Sequence, residues 1–224
     1  MKHGKKYLEA LKKYEPQTLF ELKEAAETVK KLSFAKFDET VEVSIKLNLK
    51  KSQSVRDTVV LPHQFKGEKR ILVFCKSEKE KEAQEAGAAF IGAEDLIEKV
   101  KGGWLDFDIA VATPDMMKDV GKLGMVLGRK GLMPNPKTGT VTFDLKGAIS
   151  ELKKGRIEFR ADKTGVVHLA IGKVSMDASA IAENALVVLN EIKRKKPSDA
   201  KGDFLQSASL SSTMGPGVRF KIEA

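Results

Sequence analysis

The chain has a single cysteine, Cys75. That excludes an internal disulfide and a thiolate metal cage. Its setting, Ile71-Leu-Val-Phe-Cys75, reads as a buried strand in which cysteine serves as a small hydrophobe. Histidine is nearly as scarce. His3, His63 and His168 fall in a tail, a loop and a strand, without the helical pairing that holds a metal. No apolar run approaches the roughly 18–20 residues needed to cross a bilayer. The start, Met1-Lys-His-Gly-Lys-Lys-Tyr7, is basic but leads to no apolar signal core, so the expectation is a cytoplasmic protein with no membrane partner.

Enzyme signatures are missing as well. No G-x-x-x-x-G-K-[ST] occurs; Gly124 and Gly128 are followed by Arg129-Lys130 at the wrong spacing. No G-x-G-x-x-G follows the Ile71 strand, which runs into Lys76-Ser-Glu-Lys79. There is no G-x-S-x-G nucleophile elbow. Asp106 and Asp108 share one face at a strand start, where solvated carboxylates are common. Catalytic groups can also converge from distant positions, so missing motifs do not exclude an enzyme; the expectation is nevertheless a protein that binds, with no cofactor, no metal and no catalytic residue.

What the chain does have is cationic charge. Of 224 residues, 40 are Lys or Arg and 31 Asp or Glu, a net charge of +9 that points to a polyanionic partner. The surplus is unevenly placed. Residues 67–152 hold 13 basic and 14 acidic residues, which leaves 27 and 17 for the two outer segments together. The hydrophobic pattern changes at similar points. A basic domain built from both chain ends, 1–66 and 153–224, with a nearly neutral insert at 67–152, accounts for both observations. The family of the main partner, a nucleic acid, is set against a second class, a protein-interaction module using the charged helical stretch Ser77 to Lys101.

In the first outer segment the spacing predicts helices at Tyr7–Lys13 and at Thr18–Leu32, the second capped by Thr18 with Glu21 as its capping-box partner. Thr40 to Leu49 alternates as a strand with Val41, Val43, Ile45, Leu47 and Leu49 on its buried face. Lys50 to Arg56 reads as a mobile loop. In the second, Arg156–Ala161 and Val166–Ile171 read as a hairpin about Asp162-Lys-Thr-Gly165, with Gly165 left-handed. A helix from Ala178 to Lys195 and strands at Gly202–Leu210 and Val218–Ile222 follow. Joined, these give an antiparallel α+β sandwich of four or five strands backed by two main helices. The insert alternates strand and helix from Ile71 onward, with Ser77 read as a cap, and is expected to be a three-layer, Rossmann-like α/β domain with a parallel sheet. The fold class is therefore mixed, α/β and α+β, in two domains joined by hinges near Pro62–Gly67 and Leu152–Gly155.

Gly121 to Thr140 closes the insert. It holds five glycines, two prolines and four cations, and reads as a shaped loop, neither one regular helix nor a central strand. It would present Arg129, Lys130 and Lys137 to a polyanion. Two other places suit RNA, which is read by stacking, shape and hydroxyl contacts. Phe37 beside Lys36 offers a ring for a base or sugar and a cation for phosphate. Ser211-Ser-Thr-Met-Gly-Pro-Gly217 offers hydroxyls and uncovered backbone donors.

Four stretches carry a resemblance: Lys36-Phe-Asp-Glu-Thr-Val-Glu-Val43, Gly128-Arg-Lys-Gly-Leu-Met-Pro-Asn-Pro-Lys-Thr-Gly-Thr140, Phe159-Arg-Ala-Asp-Lys-Thr-Gly165 and Ser212-Thr-Met-Gly-Pro216. In this order, across essentially the whole chain, they resemble the bacterial ribosomal protein L-one family of the mobile stalk of the large ribosomal subunit. The resemblance implies binding to the stalk ribosomal RNA near the exit site, help with transfer-RNA release, and repression of the family's own messenger RNA. It implies a monomer when free, with its main RNA surface on the discontinuous domain. That surface would comprise Lys36, Phe37, Thr40, Glu42, Asp162, Lys163, Thr164, Ser207, Thr213, Met214 and Gly215. Arg129, Lys130 and Lys137 would add secondary, phosphate-type contacts from the insert.

Overall fold

The computed structural model describes residues 4–50, 54–65, 67, 69–197 and 202–222. Part of the expected Lys50–Arg56 loop lies outside these. The chain forms two compact units, Met1–Phe65 with Glu158–Ala224, and Lys66–Ile157 between them. The second boundary falls five residues later than the composition break suggests: the last helix of the insert ends at Lys153, and residues 154–157 still belong to the insert.

The first unit is a four-stranded antiparallel sheet covered on one face by helices. Its elements are α1 (Lys5–Leu11), α2 (Leu22–Leu32), β1 (Thr40–Leu47) and β2 (Arg56–Val60), then β6 (Arg156–Arg160), β7 (Val166–Lys173), α8 (Ala178–Arg194), β8 (Leu205–Ser212) and β9 (Val218–Phe220). The sheet order is β7-β1-β8-β9. Val41, Val43, Ile45 and Leu47 of β1 are buried, with Leu210, Val218 and Phe220 from the neighbouring strands and Ala25, Val29, Ile181, Val188 and Ile192 from α2 and α8. Each buried aliphatic side chain contributes about 1.5–3 kcal/mol relative to exposure. Alternation in the strands and 3–4 spacing in the helices therefore fix one covered face and one bare one.

Three expectations for this unit are corrected. Thr18 does not cap α2. The helix starts at Leu22, with Glu21 at the cap and Glu24 completing the box. The Phe20 backbone is bound to β9 instead: its N–H donates to Arg219 O and its carbonyl accepts from Lys221 N–H, so it cannot be helical. The Asp162–Gly165 turn forms, and Gly165 is left-handed at φ +78°, but no regular hairpin follows it. β7 pairs with β1, while β6 pairs with β2 in a separate two-stranded sheet. Only an Ala161–Val167 bridge joins the two arms. β2 itself was not expected; Val59 is its only buried residue, so it has almost no periodic signal.

The insert is a three-layer α/β unit with β3 (Ile71–Phe74), α3 (Ser77–Glu85), β4 (Phe90–Gly92), α4 (Glu94–Lys101), β5 (Ile109–Ala112), α5 (Met117–Val120), α6 (Gly124–Lys130) and α7 (Leu145–Lys153). The strands are parallel in the order β4-β3-β5. Leu72, Phe74, Ala110 and Ala112 face a core completed by α4 and the Met116–Leu127 stretch. Ile71, Val73 and Val111 face one completed by α3 and α7. Both faces are covered, which is why β3 is apolar at every position. The cap position of α3 is Lys76, one residue before the expected Ser77.

The glycine-rich run is corrected as well. Gly124–Lys130 is helical, and Arg129 and Lys130 occupy its last turn. Each glycine costs a helix roughly 1 kcal/mol, but Val120, Leu123 and Leu127 recur at helical spacing and are almost completely buried. That burial outweighs the propensity cost. Gly131 ends the helix in the left-handed conformation, and Leu132 N–H donates to Leu127 O to close it. Asn135 then caps a short 3-10 turn, Pro136–Thr138, through a 2.9 Å bond from Lys137 N–H.

Candidate nucleic-acid interface

The bare face of the first unit is assembled from alternate residues of the central strands. On β1 these are Thr40, Glu42, Ser44 and Lys46. Opposite them on β8 stand Ser211 beside Glu42, Ser209 beside Ser44 and Ser207 beside Lys46. His168 of β7 lies on the other side of Ser44, its Nδ1 2.9 Å from the hydroxyl. Arg219 of β9 stands beside Ser209. The face is hydroxyl-rich, with cations at its margins and no apolar stripe to pack a further layer.

At one end of this face two loops are locked together by a buried carboxylate. Glu39, only 1% exposed, accepts from Phe34 N–H at 3.1 Å and Ala35 N–H at 2.9 Å through Oε1. Its Oε2 accepts from Met214 N–H at 3.0 Å. Burial pushes this carboxyl up, but the bonds from Met214, Ala35 and Phe34, with help from Ser212, outweigh it and leave the group below its usual range. Thr213 closes a second clasp: its Oγ1 accepts from Thr40 N–H at 3.0 Å and donates to Thr40 O at 3.3 Å. Asp38 ties the same corner to the turn after β7 through Ser175 N–H and Oγ, at 3.1 and 2.9 Å. Gly215 packs closely on the same corner: a Cβ there would lie 2.4 Å from Ser212 Oγ and would force that hydroxyl to move.

These bonds fix backbone while leaving two apolar side chains outside. Phe37 is 56% exposed and Met214 52%. Both side chains stand in water on the pinned loops, open to a partner. They suit an external partner with flat, stackable faces.

Lys36, Phe37, Thr40, Glu42, Thr213, Met214 and Gly215 thus come together. Asp162, Lys163, Thr164 and Ser207 belong to the opposite end of the same face. Lys46, six residues or about 20 Å along β1 from Thr40, donates to Thr164 O there and pairs with Ser207. Asp162 is a turn builder: its Oδ1 accepts from Val166 N–H, Thr164 N–H and Thr164 Oγ1 at 2.7–2.8 Å. Those bonds hold its carboxyl below the ordinary range. Arg129, Lys130 and Lys137 lie in the insert, the first two on α6 and the third on the 3-10 turn. Asp106 and Asp108 bind Arg70, which donates from Nη1 to Asp106 at 2.9 Å and from its N–H to Asp108 at 2.8 Å.

Sequence reasoning missed Glu39, Ser44, His168, Ser209 and Arg219. The serines were legible as alternation in Ser207-Ala-Ser-Leu-Ser211. Nothing local distinguishes Glu39 from its solvated neighbour Asp38; its burial arises only when two distant loops close over it.

A discontinuous α+β unit interrupted by a parallel α/β insert thus presents a bare, hydroxyl-rich sheet face suited to binding RNA. Residues 29–216 match the model of the Ribosomal protein L1p/L10e family, and the chain belongs to that family. It is 69% identical to the large ribosomal subunit protein uL1 of Treponema denticola, over 97% of this chain and 96% of that one. The same-named protein of Treponema pallidum is 62% identical over the same shares. That of Borrelia hermsii is 58% identical over 97% of both chains.

Proposed function

We propose that this chain, a structural constituent of the large ribosomal subunit and so a protein of the cytoplasmic ribosome, binds the ribosomal RNA of the mobile stalk near the exit site through the bare face of its first unit. The pinned pair of loops carries the proposal. Glu39 and Thr213 hold Phe37 and Met214 outward beside a row of hydroxyls. Hydroxyls can bond ribose 2′-hydroxyls, which DNA lacks, and Met214 shields such bonds from water, which makes them count for more. Glu42 accepts from base amino groups or 2′-hydroxyls. Arg129, Lys130 and Lys137 supply secondary phosphate contacts from the insert.

The same surface would serve for repression, by binding a similar structure in the chain's own messenger RNA. Movement of the insert on the two chain crossings would accompany the stalk as transfer RNA leaves. The test is a backbone-amide NMR titration with a stalk RNA fragment. Perturbations at Thr40–Lys46, Ser207–Ser211 and Thr213–Gly215 are expected. Perturbations confined to α2 and α8, on the covered face, would refute the assignment.

A further inference from the structure

Beyond Ser207 the first unit carries a second feature. An open groove of about 670 Å³ runs between the C-terminal end of α8 and the β8–β9 edge. Lys193, Lys196, Arg219 and Lys221 line it, and Asp203 is the one acidic residue among its described lining. Cations at the end of α8 are explained by the helix dipole alone. Arg219 and Lys221 are not. Arg219, in the three-residue edge strand, and Lys221, the residue after it, flank buried Phe220 and bring their cations from a second element. Lys196 also donates to Gly202 O at 3.1 Å, and the four cations together leave the groove lining net positive among the described residues.

The groove is continuous with the bare sheet face. Ser207 belongs to both, and Arg219 stands beside Ser209 in the sheet register. A strand of polyanion lying along Ser211, Ser209 and Ser207 would therefore run off the face directly into the groove. We infer that the groove is a second RNA subsite, which takes the sugar-phosphate backbone of the same RNA where it leaves the sheet. This rests on the assignment of the sheet face to RNA. The groove contributes affinity and direction without reading sequence, because Lys and Arg meet phosphate as point charges or forks.

The experiment uses the full chain with Lys196→Ala, Arg219→Ala and Lys221→Ala combined, and a charge-preserving Arg219→Lys, Lys221→Arg control. Binding to a stalk RNA is measured from low to moderate salt, with hydroxyl-radical footprinting of the RNA. Folding is checked by thermal unfolding. The triple variant is expected to show a log–log salt slope shallower by about two, from the 0.7–0.9 that each phosphate contact contributes. It should lose a run of protected phosphates at one edge of the footprint and keep the central protection; the control should match the wild type. An unchanged slope and footprint in a folded triple variant would overturn the inference. Preferential loss of binding to an acidic peptide, with RNA binding intact, would overturn it in favour of a protein partner. Failure of the wild type to prefer stalk RNA over scrambled RNA would instead overturn the reading on which the inference rests.

Discussion

Glu39 shows how one residue can organise a surface it does not itself expose. Its carboxylate accepts from both loops that frame the sheet end. Glu39→Gln replaces one acceptor oxygen by a donor group facing an N–H, and each buried group left unsatisfied costs about 1–3 kcal/mol. We predict a loss of that order in urea unfolding at neutral pH, with weaker RNA binding. The pH dependence has a definite sign. The folded carboxyl titrates below its ordinary value of 4.5, so its contribution is fully present above that value and is lost as pH falls through the lower folded one. The stability gap between wild type and Glu39→Gln should therefore narrow on acidification; a constant gap would show that the charge is not what holds the loops.

Thr213 and Met214 act differently at the same corner. Thr213→Ala removes the clasp on Thr40, and Met214→Asp adds a repelling charge on an exposed position. Both should weaken stalk RNA binding by about 1–3 kcal/mol or more, but only the first should lower stability. Isothermal titration together with thermal unfolding separates the two effects.

At the scale of elements, α8 is the brace of the first unit. Asn184, fully buried on it, donates to His63 O at 2.9 Å and Ile171 O at 2.7 Å and accepts from His63 N–H at 3.0 Å. One side chain thus ties the end of β7 and the segment after β2 to one helix. Asn184→Leu leaves three backbone groups unpaired, and the expected loss is roughly 2–4 kcal/mol at 1–3 kcal/mol per orphaned group, partly relieved by local relaxation. Denaturant unfolding measures it; a loss under about 0.5 kcal/mol, the range of ordinary surface substitutions, would contradict the brace.

Elements also mark where sequence was and was not informative. The β1, α2 and α8 stripes were legible because hydrophobic period encodes burial directly. The split between β6 and β7 was not, because a turn signal at Asp162–Gly165 says nothing about which partner each arm meets. The helix in the glycine-rich run was hidden because glycine and proline counts obscured the 3–4 spacing of Val120, Leu123 and Leu127. Lys36, Phe37 and Thr213–Gly215 were legible as chemistry, but the buried acid that joins them exists only in three dimensions.

On the scale of the whole molecule, charge and architecture divide the work. The two outer segments hold the entire cationic surplus and build the bare face, while the insert is close to neutral. Replacing residues 66–157 by a short flexible linker should leave a unit that keeps most of the specific affinity for stalk RNA, losing about tenfold or less with the secondary contacts; 1.4 kcal/mol corresponds to tenfold. Gel-shift titration of that variant checks it, and loss of all specificity would move the principal site to the insert.

The central claim is that this protein recognises one RNA and is more than a basic surface. Its most direct test is a salt-dependent titration of the intact protein against stalk RNA, a scrambled RNA of equal length, and the DNA version of the stalk. Tight binding to the stalk RNA alone, with a salt slope shallower than for the controls, is what the hydroxyl-rich face and its pinned loops predict. Equal and steeply salt-sensitive binding to all three would mean attraction by net charge only, and would contradict the account.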